Sequence, residues 1–216
     1  IARVDATLTV VEESSERLVK EGADATRLSV VSNTPPRARA EETVIRDRSS
    51  TDTITIAYLG LLEVARGIGE LVEAMRILRN GFGTRYRAIV VGAGRDADAF
   101  VARARELGIL DTAISFLGLL PHADALRTIA AADIGVIPHH STELWNSTIP
   151  NKLFDYMAAG MPVVSSDTTP CARIIRETGC GEIFQSGDAQ SMADAIVRAC
   201  SADAVTRMAT AGRRAI

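Results

Sequence analysis

The stretch richest in chemistry-bearing side chains runs His139-His140-Ser141-Thr142-Glu143-Leu144-Trp145-Asn146-Ser147-Thr148-Ile149-Pro150-Asn151-Lys152, then Leu153-Phe154-Asp155-Tyr156-Met157-Ala158-Ala159-Gly160. Its polar first part leads into a helical pattern with Pro150 ahead and Gly160 behind, the usual start and stop of a helix. Free backbone N–H groups and the macrodipole at such a start suit a phosphate. Lys152 adds a full positive charge at the same end. Asp155 follows Asn151 by four residues and Lys152 by three, which puts it on the same face one turn along. A carboxylate there can accept two hydrogen bonds from a ribose diol. A phosphate site followed by a diol acceptor is a nucleotide site. The same two residues would also make an ordinary i,i+3 surface pair, so local sequence alone leaves both readings open.

A second candidate lies in Gly60-Leu61-Leu62-Glu63-Val64-Ala65-Arg66-Gly67. Gly60 ends an apolar run and lets a ligand or a helix approach closely. Arg66 can form a fork with phosphate oxygens, or stand as a solvated loop charge. Gly92-Ala93-Gly94-Arg95-Asp96-Ala97 fits a dinucleotide fingerprint, G-x-G-x-x-A. It follows the second strand of its domain rather than the first, and no acid stands about 20 residues on to hold a ribose. His139 and His140 are adjacent, point different ways and have no clear third ligand, so a loop role is expected rather than a metal. Cys171 follows a proline in a cleft-side loop and is read as an ordinary packed or exposed residue rather than a reactive thiol. Trp145 is read either as facing an acceptor or as a partial core anchor.

These side chains need a scaffold, and the pattern supplies one. Short strands are expected at 54–59, 88–91, 114–117, 134–138, 163–165 and 182–184. Helices are expected between them, at 70–78, 96–107, 121–132, 152–159 and 168–177, and after Asp188 to Cys200. Such alternation implies an α/β fold, a parallel sheet with helices on both faces. Six βα units in about 150 residues favour a doubly wound sheet over an eight-stranded barrel of about 250. Ligands of such sheets bind beyond the carboxyl ends of the strands, where both candidate loops fall. Ahead of this region come a strand within 5–12, a helix at 16–21 capped by Ser14 or Ser15, a strand at 28–31 and a polar linker at 37–52, expected to be mobile.

The chain has 216 residues, 47% hydrophobic and 24% charged, with 4% aromatic and a formal charge of 24 − 27 = −3. That is ordinary for a soluble globular protein and gives no basic field or stacking surface for nucleic acid. Three cysteines are too few for a disulfide scaffold and fit a reducing, cytoplasmic setting. No apolar run approaches the roughly 18 residues of a membrane span. The first residue is Ile1, and both ends look cut inside elements, as in a piece excised from a longer protein.

Several motifs together resemble a known family. Gly60-Leu-Leu-(3)-Arg66-Gly67, Val90-Val91-Gly92-Ala93-Gly94, Ile114-Ser-Phe-Leu-Gly118, Ala132-Asp133-Ile-Gly-Val-Ile-Pro138 and Pro150-Asn151-Lys152-Leu-Phe-Asp155-Tyr-Met-Ala-Ala-Gly160-Met-Pro162-Val-Val resemble the carboxyl-terminal domain of group 1 (family 4) retaining glycosyltransferases. Asp5-Ala-Thr-Leu-Thr-Val-Val and Val30-Val31-Ser32-Asn33 resemble the last strand and exit linker of that family's amino-terminal domain. The resemblance implies a GT-B architecture, two Rossmann-like domains with the active site between them. Residues 1–33 would be a remnant of the first domain, 34–52 a linker, 53–201 the nucleotide-sugar-binding domain and 202–216 the start of a truncated helix.

By the same resemblance the chain binds a UDP- or GDP-sugar and gives its sugar to an acceptor glycan or lipid-linked sugar with retention. Arg66 matches the family's diphosphate-binding Lys, Asn151 and Lys152 the helix start beside the diphosphate, and Asp155 the second, ribose-holding Glu of E-x7-E. Leu117, Gly118 and Leu119 match the segment whose backbone contacts the base. With Gly60, Gly67, Gly92 and Thr148 these make the expected donor site. No catalytic residue, metal or separate cofactor is expected in this piece, which would be inactive alone. The absent amino-terminal domain is its expected partner, and the location implied is the cytoplasm, or the inner-membrane surface through that domain. Two positions depart from the pattern: Leu61 replaces an Arg after the first-strand Gly, and Ser147 replaces the first Glu of E-x7-E, with Glu143 nearby. These departures keep a second reading open, a non-catalytic nucleotide-sugar-binding or interaction domain of the same fold.

Overall fold

The computed structural model describes residues 4–35 and 53–216. The expected mobile linker at 37–52 lies outside the described residues. The amino-terminal segment is a small βαβ unit: β1 (Thr7–Thr9), α1 (Glu12–Lys20) and β2 (Leu28–Val30), with β1 and β2 parallel. The helix begins four residues before the expected start, and neither serine caps it. Their hydroxyls serve tertiary contacts instead: Ser14 Oγ donates to Ser147 O at 2.5 Å, and Ser15 Oγ lies 2.6 Å from Thr9 Oγ1.

The main body is a parallel sheet of six strands: β3 (Ile54–Leu59), β4 (Tyr86–Val91), β5 (Ile114–Gly118), β6 (Ile134–Ile137), β7 (Val163–Ser166) and β8 (Gly181–Phe184). Their order is β5-β4-β3-β6-β7-β8. The chain builds outward from β3 to β5, then crosses back to lay β6 on the other side of β3. That reversal is the topological switch point, the place where sheets of this kind commonly bind their ligands. The fold expected from the sequence is the one observed.

Strand alternation divides the core in two. Ile56, Tyr58, Ile134, Val136 and Val164 join one cluster, whereas Ala57, Ile137 and Val163 join the other. The first cluster is covered by α2 (Ile68–Phe82), α3 (Ala97–Glu106), α7 (Ala189–Ala199) and α8 (Ala202–Arg214). The second is covered by α4 (His122–Ala130), α5 (Lys152–Ala158) and α6 (Thr169–Thr178). Asp188 caps α7 as expected, accepting from Ser191 N at 2.9 Å. Helix α2 outruns its expected end at Leu78, because Gly81 is tolerated inside it and the turn comes at Gly83, φ +62°.

One fit fixes α5, the helix carrying both Lys152 and Asp155. The ring of Tyr156 is fully buried and presses on β6 at Gly135, where a Cβ would lie 2.2 Å from the ring. The Tyr156 hydroxyl accepts from Leu59 N at 3.1 Å. Gly135→Ala is therefore expected to push α5 off the sheet and to lower stability by about 1–3 kcal/mol, as overpacking does. A urea melt of the two proteins measures it, and equal midpoints would show that the ring yields freely.

Candidate functional site

The loops after β3 and β6 are stitched together. Gly67 takes φ +67°, and a Cβ on it would meet Pro138 O at 1.8 Å, so only glycine lets the two loops close. His140 N donates to Ala65 O at 3.1 Å across the same seam. Gly92, φ +142°, faces Gly60 O at 1.8 Å from its would-be Cβ, and Gly94 crowds the Leu62 backbone in the same way. The glycines of the apparent dinucleotide fingerprint thus serve close loop packing. Gly60 N donates to Val91 O at 3.0 Å and Gly92 N to Gly118 O at 2.8 Å, which ties the strand ends of β3, β4 and β5 into one rim.

Within this rim the fold gathers nitrogen. Lys152 is buried, 7% exposed, with Nζ 4.0 Å from the centroid of the Tyr58 ring. A Cβ on Gly60 would stand 2.9 Å from that Nζ, so this glycine gives the ammonium its room. Arg66 ends a 3₁₀ turn, Val64–Arg66, and lays its guanidinium 5.0 Å from the centroid of the Trp145 ring. Its Nε is 3.6 Å from Glu63 Oε2. His139 stacks on the other ring neighbour, with imidazole and indole centroids 4.1 Å apart. Lys152 Nζ, Arg66 Nε and both ring nitrogens of His139 are buried without a hydrogen-bond partner.

The electrostatics follow from that burial. Desolvation, then the nearby Arg66, holds the Lys152 ammonium well below the ordinary lysine range, while Cys171 opposes the shift. Desolvation, then Lys152, Arg66 and His140, pushes His139 down to about 2, so its ring is neutral. Each buried polar group without a partner costs about 1–3 kcal/mol. Several unpaired N–H groups converging at a switch point form a cradle for a group rich in acceptor oxygens.

The other expected residues distribute around the rim. Asp155 is half-buried and opens on a cavity of about 210 Å³ that is also lined by Leu59, Leu126, Arg127, Ile129 and Ala159. Leu117 and Leu119 are exposed, and Gly118 between them turns at φ +68°. Thr148 is half-buried in the loop ahead of α5. Asn151 is exposed and accepts from Asn33 Nδ2 through Oδ1 at 3.2 Å. The helix start offers fewer donors than its sequence suggests. Leu153 N is bonded to Pro150 O, and Phe154 N and Asp155 N to Asn151 O, in a helix of seven residues.

Ser147, at the position where a carboxylate was expected, donates its hydroxyl to Glu143 O at 2.9 Å and approaches Leu144 O at 3.2 Å. Glu143 itself is exposed. Cys171 is fully buried in the first turn of α6, as a packing residue should be. Sequence reasoning missed His139, which it assigned to a loop, and Tyr58. It left Trp145 between two roles, and the half-buried ring packs on Arg66 and His139. The available signal was a lone Trp in a polar loop six residues after a histidine that directly follows a strand-ending proline.

The amino-terminal βαβ unit reaches the same rim. Besides Ser14–Ser147 and Asn33–Asn151, Arg173 on α6 pairs with Glu12 at 2.5 Å and Glu13 at 2.7 Å. Among the described residues, no group of three His, Cys, Asp or Glu has the proximity to hold a metal, and no helix is long and apolar enough to cross a membrane.

Residues 53–202 match the family described as Glycosyl transferases group 1. The amylovoran biosynthesis glycosyltransferase AmsK of Erwinia amylovora is 31% identical over 152 residues, 68% of this chain and 37% of that protein. The glycosyltransferase WaaG, involved in lipopolysaccharide biosynthesis, superposes with a TM-score of 0.78 at 17% identity, covering 96% of this chain and 57% of WaaG. Anabaena Alr3699/HepE, solved with UDP and glucose, superposes with a TM-score of 0.77 at 15% identity, over 98% of this chain and 58% of that one. The chain spans well under half the length of the curated relatives it matches.

Proposed function

The chain belongs to the group 1 glycosyl transferases, and on that premise we propose that it is the donor-binding half of a GT-B enzyme that moves a sugar from a nucleotide sugar to an acceptor. The observation that carries this reading is the buried Lys152 ammonium, without a hydrogen-bond partner at the switch point, with the partly exposed Arg66 guanidinium beside it, itself 3.6 Å from Glu63. When the bond between sugar and diphosphate breaks, negative charge grows on the leaving phosphate. Fixed cations in a water-poor crevice stabilise that charge more than they stabilise the intact donor, which is what lowers a barrier. Arg66 and Lys152 hold the diphosphate, Asp155 takes the ribose hydroxyls, and the rim at Leu117, Gly118 and Leu119 lies against the base. Gly60 gives the Lys152 ammonium its room, Gly67 and Gly92 let the loops that carry the site pack closely, and Thr148 and Asn151 border it.

The finer parts of the proposal rest on the sequence resemblance: membership in family 4, retention at the anomeric carbon, a UDP- or GDP-sugar donor, and a glycan or lipid-linked acceptor held by a preceding domain. Residues 1–33 are read as the end of that domain, and the contacts of Ser14, Asn33 and Glu12 with the rim suit a hinge side. Three unpaired cysteines, Cys171, Cys180 and Cys200, suit a cytoplasmic setting, with membrane contact through the preceding domain.

The test is a calorimetric screen of this chain against UDP, GDP and ADP, their sugar conjugates and inorganic pyrophosphate. One nucleoside series is expected to bind in preference to pyrophosphate. Asp155→Asn is expected to weaken that series about 10–150-fold, the worth of hydrogen bonds to a charged group, and to leave pyrophosphate unchanged. Equal binding of all anions, or an indifferent Asp155→Asn, would remove the nucleotide site.

A further inference from the structure

Beside the two cations sits one unpartnered neutral side chain, His139, that a diphosphate does not explain. We propose that His139 is a specificity-determining residue that exchanges hydrogen bonds with a hydroxyl of the sugar carried on the nucleotide, once the Trp145 ring moves off it. The proposal rests on the reading of this crevice as a donor site and extends it to the sugar.

His139 follows Pro138 at the carboxyl end of β6, on one side of the switch point, and is 1% exposed. Its ring is held by stacking rather than by hydrogen bonds. The indole of Trp145 lies 4.1 Å away, centroid to centroid, and the backbone carbonyl of His139 accepts from Ser166 Oγ at 2.6 Å. Neither ring nitrogen has a partner. The charged and titratable groups facing it are Lys152 from α5, Arg66 from the loop after β3, and its neighbour His140. Burial, and then these three neighbours, keep the imidazole neutral.

A neutral imidazole has one donor and one acceptor. A phosphate oxygen only accepts, so it satisfies at most one of these two nitrogens. A hydroxyl both donates and accepts, and so can satisfy either. With the ribose hydroxyls assigned to Asp155, the remaining hydroxyls beside the diphosphate of a nucleotide sugar belong to the sugar. Ser147, the other polar side chain at this position in the loop, already donates to backbone carbonyls and brings no carboxylate. His139 therefore brings to this loop a buried ring nitrogen that is free to accept. Trp145 covers both His139 and Arg66, so donor entry displaces the chain's single tryptophan, which makes its fluorescence a direct report from the site.

The experiment is calorimetry of the 216-residue chain with UDP, GDP, ADP and their glucose conjugates, read beside Trp145 fluorescence and a melting curve. Wild type is expected to bind one sugar conjugate about tenfold more tightly than its nucleoside diphosphate, with a change in Trp145 emission. His139→Phe keeps the stacking and removes both nitrogens. It is expected to bind the diphosphate within about twofold of wild type and to lose the sugar's tenfold increment. His139→Leu is read the same way. Within wild type, one monodeoxy analogue of the sugar conjugate is expected to lose the same increment, which needs no variant to fold. A variant that loses diphosphate and conjugate affinity equally, or keeps the increment, overturns the proposal, as does a wild type that binds the diphosphate with no gain from any sugar. A wild type that binds no nucleoside diphosphate sinks the donor-site reading itself, and the role of His139 with it.

Discussion

Lys152→Met is expected to stabilise the ligand-free chain and to remove most of its affinity for nucleoside diphosphates. The two effects have one cause. Nζ is buried over the Tyr58 ring, beside Arg66, with no hydrogen-bond partner. Replacing a buried charge with an apolar side chain of similar length is often stabilising, by about 1–4 kcal/mol. A phosphate in the crevice reverses the balance, because it turns the lone ammonium into half of a charge-assisted pair. Losing that pair should weaken binding about 10–150-fold. A pH signature accompanies the stability gain. An unfolded lysine titrates near 10.5, and the folded Lys152 titrates below it. Between those two values the unfolded chain holds one more proton than the folded one, so wild-type stability rises with pH across that window. Lys152→Met removes that contribution to the slope. Melting curves in neutral and alkaline buffer, beside a calorimetric titration, measure all three quantities. A variant that is less stable and binds as well as wild type would make Lys152 an ordinary core residue.

Gly67→Ala should disable the site by a different route. The residue is in the left-handed region at φ +67°, and an added Cβ would stand 1.8 Å from Pro138 O. Strain and overlap together are expected to cost roughly 2–5 kcal/mol. The damage is directional as well, since relief requires the loop after β3 to part from the loop after β6. Arg66 moves with the first loop and His139 with the second, so the cradle opens. Binding is expected to fall at least as far as in Lys152→Met, about 100-fold or more if the Arg66 contact goes too. Gly22→Ala is a useful control: φ is +94° there but no atom lies within 4 Å of the new Cβ, so strain acts without overlap and far from the crevice. If Gly67→Ala melts no lower than Gly22→Ala and binds normally, the seam between the two loops does not hold the site together.

Much of this molecule was legible in its sequence, for reasons that are local. Runs such as Ile54–Leu59 and Ile134–Ile137 announce buried strands, and the glycines after them announce where the chain must bend. Arg66 and Lys152 stand out because each is a charge beyond the carboxyl end of a strand, where such sheets bind ligands. What stayed hidden is tertiary. His139, Trp145 and Arg66 come from two separate loops, and ring stacking leaves no period in a sequence. Ser14 and Ser15 carry the chemistry of helix caps, yet their hydroxyls bond to Ser147 and Thr9, so the cap signal misled. The helix start at Pro150 reads as a row of free N–H groups until the Pro150 and Asn151 carbonyls turn back to accept them. Glycines 92 and 94 match a dinucleotide motif by spacing alone, and only the backbone of Gly60 and Leu62 reveals what they are for.

The most direct test of the donor site is a crystal structure of the chain with whichever nucleoside diphosphate it binds best. The expected map places the two phosphates between the loops after β3 and β6, with Lys152 Nζ and the Arg66 guanidinium within hydrogen-bond distance, the ribose at Asp155 and the Trp145 ring displaced from His139. A diphosphate found elsewhere on the molecule, with Lys152 still lying alone against Tyr58, would contradict the assignment.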